Sequence, residues 1–253
     1  MSGFYRIGMI VPSSNTTMET ELPELFRRRE ALTGETFTWH SARATLAKVT
    51  PEELDRMVEA SGAAAQSLAD APVEVIAYAC LVAVMCRGAG AAAEVEGKLR
   101  AGVEEAPHRP AVVSSAGALV DGLRAIDARR VAMVTPYTRP LAEQVADYVR
   151  GEGFEVTELV ALEVPDNVEV GRLDPHELPG IARGLDTSRA DALVLSACVQ
   201  MPSLPVVQQV EDELGLPVVT AATATARSIL LALGLEPSVP DAGSMLRGEL
   251  VAA

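Results

Sequence analysis

RIGMIVP at residues 6–12 returns, slightly altered, as RVAMVTP at 130–136, and VIAYAC at 75–80 returns as LVLSAC at 193–198. Continuous apolar runs of this length, bounded by turn residues, are what strands buried on both faces look like. A chain that repeats its strands in the same order is built from two units of one plan. Strands are expected at 5–12, 37–46, 73–80, 111–115, 131–136, 154–164, 192–198 and 217–221, with helices in the gaps. Thr50-Pro51-Glu52-Glu53 has the capping residue, early proline and later glutamate that open a helix, here to about Asp70. Asp174-Pro175-His176-Glu177 repeats the device for a helix to about Gly184.

Strands alternating with helices give parallel sheets. The expected fold is therefore α/β, two pseudo-symmetric Rossmann-like lobes, each a mainly parallel sheet flanked by helices, with the active site in the cleft between them. The lobes are placed at residues 1–117 and 118–220. A final helix and tail, 221–253, are expected to pack back on the N-terminal lobe.

Of the 253 residues 49% are hydrophobic but only 4% aromatic, so the core must be Ala, Val and Leu, the usual filling of a helix-covered parallel sheet. The net charge of −14, with no local Lys/Arg cluster, argues against nucleic acid and anionic membrane as partners. No apolar stretch approaches the ~20 residues of a spanning helix and no signal-peptide pattern opens the chain, so a cytoplasmic protein is expected. Cys80, Cys86 and Cys198 make neither a disulfide framework nor a zinc pattern, and the three histidines are scattered. No metal or cofactor is called for, and cysteine matters here as a thiol.

In parallel sheets the binding crevice forms at the carboxyl ends of the strands, where Cys80 and Cys198 both fall. Two thiols facing each other across one cleft can act on a planar carbon from two sides, because a thiol is both a nucleophile and a usable acid. The helix N-terminus that follows each strand is expected to lower the thiol pKa. A lone cysteine ending an apolar strand is commonly core filling, but two at equivalent positions of a repeat outweigh that reading. Cys86 has no counterpart and reads as a core or loop residue. The apolar segment LVAVM at 81–85 reads either as continuation of the buried strand or as a flap that dries the site.

The first strand ends in GMIVPSSNTTMETE, residues 8–21, with five small polar residues in a row. Ser or Thr is expected to cap the helix starting near Met18, but a cap needs one such residue. The remaining hydroxyls, the Asn15 side chain and the backbone N–H groups of the turn are expected to face the crevice. The equivalent turn of the second lobe, PYTRP at 136–140, offers Tyr137 and Thr138. Neutral donors and helix N-termini can hold a carboxylate without a basic side chain, so two such clusters suit a small dicarboxylate.

VPSSNTTMETE after the first strand, YACLVAVM around Cys80, TPYT at 135–138, PDN at 165–167 and SAC ending at Cys198 together resemble the maleate isomerases, within the aspartate/glutamate racemase and arylmalonate decarboxylase superfamily. The resemblance spans nearly the whole chain. It implies cofactor-independent conversion of maleate to fumarate through a succinyl-cysteine intermediate, with Cys80 as nucleophile and Cys198 as general acid/base. It further implies substrate contacts from Asn15, Tyr137 and Asn167, with Ser14 and the backbone N–H groups of Leu81 and Val82 as additions, and a homodimer or higher homo-oligomer. Three other readings compete. A two-thiol racemase would need a carboxylate in the first turn for the substrate ammonium, and none precedes Glu19. A malonate-type decarboxylase would leave Cys80 idle, and a non-catalytic dicarboxylate-binding protein would need neither thiol.

Overall fold

β-Branched and small apolar side chains fit a pleated surface covered on both faces, and in this chain they build two four-stranded sheets. The computed structural model describes residues 3–46 and 48–248. In the first sheet β1 (Phe4–Pro12), β2 (Thr36–Ala44), β3 (Val75–Tyr78) and β4 (Ala111–Ser114) lie in the order β2-β1-β3-β4. In the second, β5 (Arg130–Thr135), β6 (Glu155–Ala161), β7 (Ala192–Ser196) and β8 (Val218–Thr220) lie in the order β6-β5-β7-β8. All six pairings are parallel, so the two sheets share one topology, as the repeated sequence requires. Each expected strand is present. The two central strands that lead to cysteines stop earlier than expected, β3 at Tyr78 and β7 at Ser196, leaving both thiols outside the sheets.

The helices are α1 (Met18–Thr33), α2 (Pro51–Ala69), α3 (Leu81–Met85), α4 (Ala91–Gly102), α5 (Ser115–Ala125), α6 (Arg139–Gly151), α7 (Asn167–Val170), α8 (Leu178–Arg183), α9 (Val207–Leu214) and α10 (Ala221–Ala232). α2 opens as its sequence dictates, with the Thr50 hydroxyl accepting from Glu53 N at 3.4 Å. The helix expected from 174 to Gly184 divides into a 3₁₀ turn, Pro175–Glu177, and α8. Pro179, which has no N–H to donate, sits at the start of α8 and marks the break. LVAVM is not a strand continuation: it forms α3, one short helix buried at every residue. Among the described residues no helix is long and apolar enough to cross a membrane.

α10 begins with six buried small residues, Ala221 to Ala226, and packs against α5 and α1. Small side chains let helix axes approach closely, and Gly122 on α5 contributes: a Cβ there would lie 2.6 Å from Met245 Sδ and 3.6 Å from Ala224 Cβ. The following segment is held from both lobes. Arg29 of α1 donates to the carbonyls of Glu236 and Ser238 at 2.6 and 2.9 Å, and Glu211 of α9 accepts from Ser244 N at 2.9 Å. Residues 249–253 of the expected tail lie outside the described residues.

Candidate active site

The last ladder bonds of the two central strands come from equivalent residues. Ala79 N donates to Ile10 O at 2.8 Å, and Ala197 N donates to Val134 O at 3.1 Å. Each chain then leaves its sheet, and the next residue is a cysteine. Both sulfurs are buried, Cys80 at 1% exposure and Cys198 at 3%. Cys80 takes an extended backbone and opens α3, while Cys198 opens an irregular loop that runs to the 3₁₀ turn Leu204–Val206.

The expectation that a helix N-terminus lowers these thiol pKa values is overturned. Burial pushes the Cys80 thiol up to about 12; the N–H of Ala83 pulls the other way, and the neighbouring Cys198 adds to the rise. Removing a thiolate from water costs more here than one or two N–H groups return. Burial also raises Cys198, opposed by three donors on its sulfur: the Tyr137 hydroxyl, Gln200 N at 3.3 Å and Met201 N. Tyr137 itself is held strongly neutral by burial and by the adjacent Cys198. Burial thus favours the neutral form of both thiols, with Cys198 better equipped to carry charge in passing. Cys86 ends α3 half-buried, its thiol pushed up to about 11 by burial.

The polar run after β1 does something the sequence did not foretell. Asn15, not a Ser or Thr, supplies the α1 cap, its Oδ1 accepting from Met18 N at 3.1 Å. Its Nδ2 donates to Val199 O at 3.0 Å. Thr17 turns its hydroxyl to Gln200 O at 2.8 Å, and Ser13 Oγ accepts from Leu46 N at 3.0 Å. Four residues into α1, Glu21 Oε1 accepts from both Ser203 N and Leu204 N, at 2.6 and 2.7 Å. Much of the supposed surplus therefore grips, from the first lobe, the loop that carries the second lobe's thiol. Thr17 is spent in this way, while the Ser13 hydroxyl is taken up within the first lobe by Leu46 N.

Ser14 and Asn167 meet, Asn167 Nδ2 donating to Ser14 Oγ at 2.7 Å. Asn167 opens α7, whose cap is Asp166 accepting from Val168 N and Glu169 N. Gln200 locks the same junction, its Nε2 donating to Ser14 O and Asn167 O, each at 3.0 Å. Gly171 leaves room for that carboxamide, since a Cβ there would stand 2.9 Å from Nε2. Leu81 and Val82 occupy the first turn of α3, where backbone N–H groups point out of the helix. Ser14, Asn15, Tyr137, Asn167 and Cys198 thus form one connected neighbourhood, with Cys80 near enough to Cys198 for their charges to interact. Glu21 and Gln200 went unread in the sequence, and Thr17 was read only as one hydroxyl of the polar run expected to cap the helix or face the crevice; the only signals were the excess of hydroxyls and an acidic residue within a turn of the cap.

Two buried sulfurs, one crowned by three donors, suit addition of a thiolate to one carbon and proton delivery to its neighbour. The arylmalonate decarboxylase family model matches residues 7–246. A maleate isomerase from Geobacillus stearothermophilus is 52% identical over 250 residues, which are 98% of this chain and 100% of that one. The maleate isomerase of Pseudomonas putida S16, solved as a cysteine-to-alanine variant with maleate, superposes with a TM-score of 0.95 at 48% identity, covering 97% of this chain and 98% of that one. A cysteine-to-serine variant of the Nocardia farcinica maleate cis-trans isomerase with a covalently bound succinylcysteine intermediate superposes at 0.93 and 50% identity, covering 98% and 100%.

Proposed function

The chain belongs to the arylmalonate decarboxylase family and groups with its maleate isomerases, and from that premise we propose that it isomerises maleate to fumarate through a covalent cysteine adduct. The observation that supports the reading is the symmetric exit of Ala79-Cys80 and Ala197-Cys198 from two equivalent sheets, each cysteine buried and the two near enough for their charges to interact.

Rotation about a C=C bond is very slow, and chemistry that makes it a single bond removes the barrier. In this mechanism Cys80, its proton given up to solvent beforehand, adds as a thiolate to one vinylic carbon. The π electrons move to the neighbouring carbon and its carboxylate, and Cys198 delivers its proton to that carbon, becoming a thiolate itself. The N–H groups of Gln200 and Met201 stabilise that transient charge, and the Tyr137 hydroxyl, with one proton to give, serves either this sulfur or a substrate carboxylate at any one moment. The new single bond turns, Cys198 takes a proton back, the C–S bond breaks, and fumarate leaves with Cys80 again a thiolate. No net proton or electron is consumed.

The substrate carboxylates fall to neutral donors: Asn167, Ser14, Tyr137, the N–H groups of Leu81 and Val82, and the second N–H of Asn15 Nδ2, beyond the one given to Val199. Three free thiols suit a reducing compartment, and a cytoplasmic homodimer or larger homo-oligomer is part of this reading. The test is direct. Purified protein without added cofactor, incubated with maleate and followed by proton NMR, should replace the maleate vinylic signal with that of fumarate; no conversion across the pH range where the protein stays folded contradicts the reading.

A further inference from the structure

Glu21 is a buried carboxyl that the mechanism leaves without a role. It lies on α1 in the first lobe, yet its Oε1 takes two consecutive N–H groups of the second lobe, Ser203 and Leu204, at 2.6 and 2.7 Å. These open the 3₁₀ turn that ends the Cys198 loop. The beginning of the loop is held separately, with Ser196 Oγ 2.9 Å from Cys198 O and 3.3 Å from Met201 O. Thr17 holds its middle at Gln200 O, 2.8 Å away. Between these anchors lie the N–H groups of Gln200 and Met201 that face the Cys198 sulfur.

We propose that Glu21, with Thr17 beside it, is a positioning residue for the proton-transfer thiol: from the opposite lobe it fixes the loop whose N–H groups stabilise Cys198 when it has given up its proton. The inference rests on the isomerase reading. The Gln200 N–H lies 3.3 Å from the sulfur, and such a bond weakens steeply once the N–H turns away from its acceptor, so a loop free at its far end would hold the transient thiolate poorly. Keeping a carboxyl here has a cost twice over, since burial raises Glu21 to about 7 against its two N–H bonds and its charge, when present, opposes that of the Cys198 thiolate. A cost of this kind is expected where geometry is what the residue supplies. Both bonds end on one oxygen, which a glutamine can present equally well.

The experiment compares Glu21→Ala, Glu21→Gln and Thr17→Val with the unaltered protein, measuring kcat, KM and the solvent deuterium isotope effect on kcat for maleate. Glu21→Ala should lose at least about tenfold in kcat with KM within about threefold, and its isotope effect should rise as proton transfer becomes slower than the other steps. Glu21→Gln should keep kcat within about threefold, because the acceptor survives. The proposal is overturned if Glu21→Ala keeps the parent's kcat, if its loss comes with an unchanged isotope effect, or if Glu21→Gln falls as far as Glu21→Ala. Should Glu21→Ala fail to fold, Thr17→Val decides, with a lower kcat and a raised isotope effect expected and parent-like values overturning the idea. If the unaltered protein does not convert maleate, it is the function that fails and not the anchor.

Discussion

Asn167 Nδ2 donates to Ser14 Oγ at 2.7 Å, joining the turn that opens α7 in the second lobe to the turn after β1 in the first. A carboxylate held by Asn167 competes for that donor, so the two residues should differ in their effect on binding. Asn167→Ala removes a donor to the substrate and should raise KM for maleate by about tenfold, the ~1.4 kcal/mol of a hydrogen bond to a charged group. Ser14→Ala removes one neutral donor but also frees the Asn167 N–H that Ser14 held, and the two effects offset, so KM should change by less than about threefold. Steady-state kinetics of both variants check this, and a KM near the parent's in Asn167→Ala removes Asn167 from the substrate site.

The pH profile follows from burial. The Cys80 thiol stands at about 12, so at neutral pH its thiolate is a small fraction that grows tenfold per pH unit. Burial raises Cys198 as well, keeping it protonated over the same range. The expected result is kcat/KM rising with a slope near one between about pH 6 and pH 8, since this parameter reports groups of the free enzyme. A flat profile there means that Cys80 is already ionised and that something other than Ala83 N–H holds its charge.

Glu21 gives a stability prediction of definite sign. Its folded-state value is raised from 4.5 to about 7, chiefly by burial and against the Ser203 and Leu204 N–H groups and the nearby Arg28. The native state therefore binds the extra proton between those values, and its stability falls as pH rises through that window, by on the order of 3 kcal/mol. Glu21→Gln cannot titrate. Its melting temperature relative to the parent should increase from pH 5 to pH 8 in thermal unfolding, and a gap that narrows would show that the carboxylate is stabilised in place.

Strand positions were legible because period and composition are local: all eight lie where apolar runs between turn residues put them, and RIGMIVP beside RVAMVTP exposed the shared sheet order. The thiols were legible for the same reason, each following an alanine at a strand end. What the polar run does was not. Asn15, Thr17 and Glu21 reach partners at Val199, Gln200 and Ser203, and contacts across such a separation leave no periodic trace. The direction of the thiol pKa shifts was misjudged because helix N-termini can be read from sequence, whereas the enclosure of Cys80 by α3, itself buried at every residue, cannot. The double role of Asn15, cap at one end and clamp at the other, explains why a Ser or Thr cap was neither needed nor used.

In the proposed reaction Cys80 forms the covalent bond while Cys198 moves the proton. Cys198→Ser, incubated with maleate and measured by intact-protein mass spectrometry with peptide mapping, tests it most directly. A mass gain of one maleate is expected, assigned by fragment ions to Cys80 rather than Cys86 on the peptide they share, and none when Cys80 is also replaced by Ala; an adduct on Cys86, or one that survives the loss of Cys80, overturns the assignment.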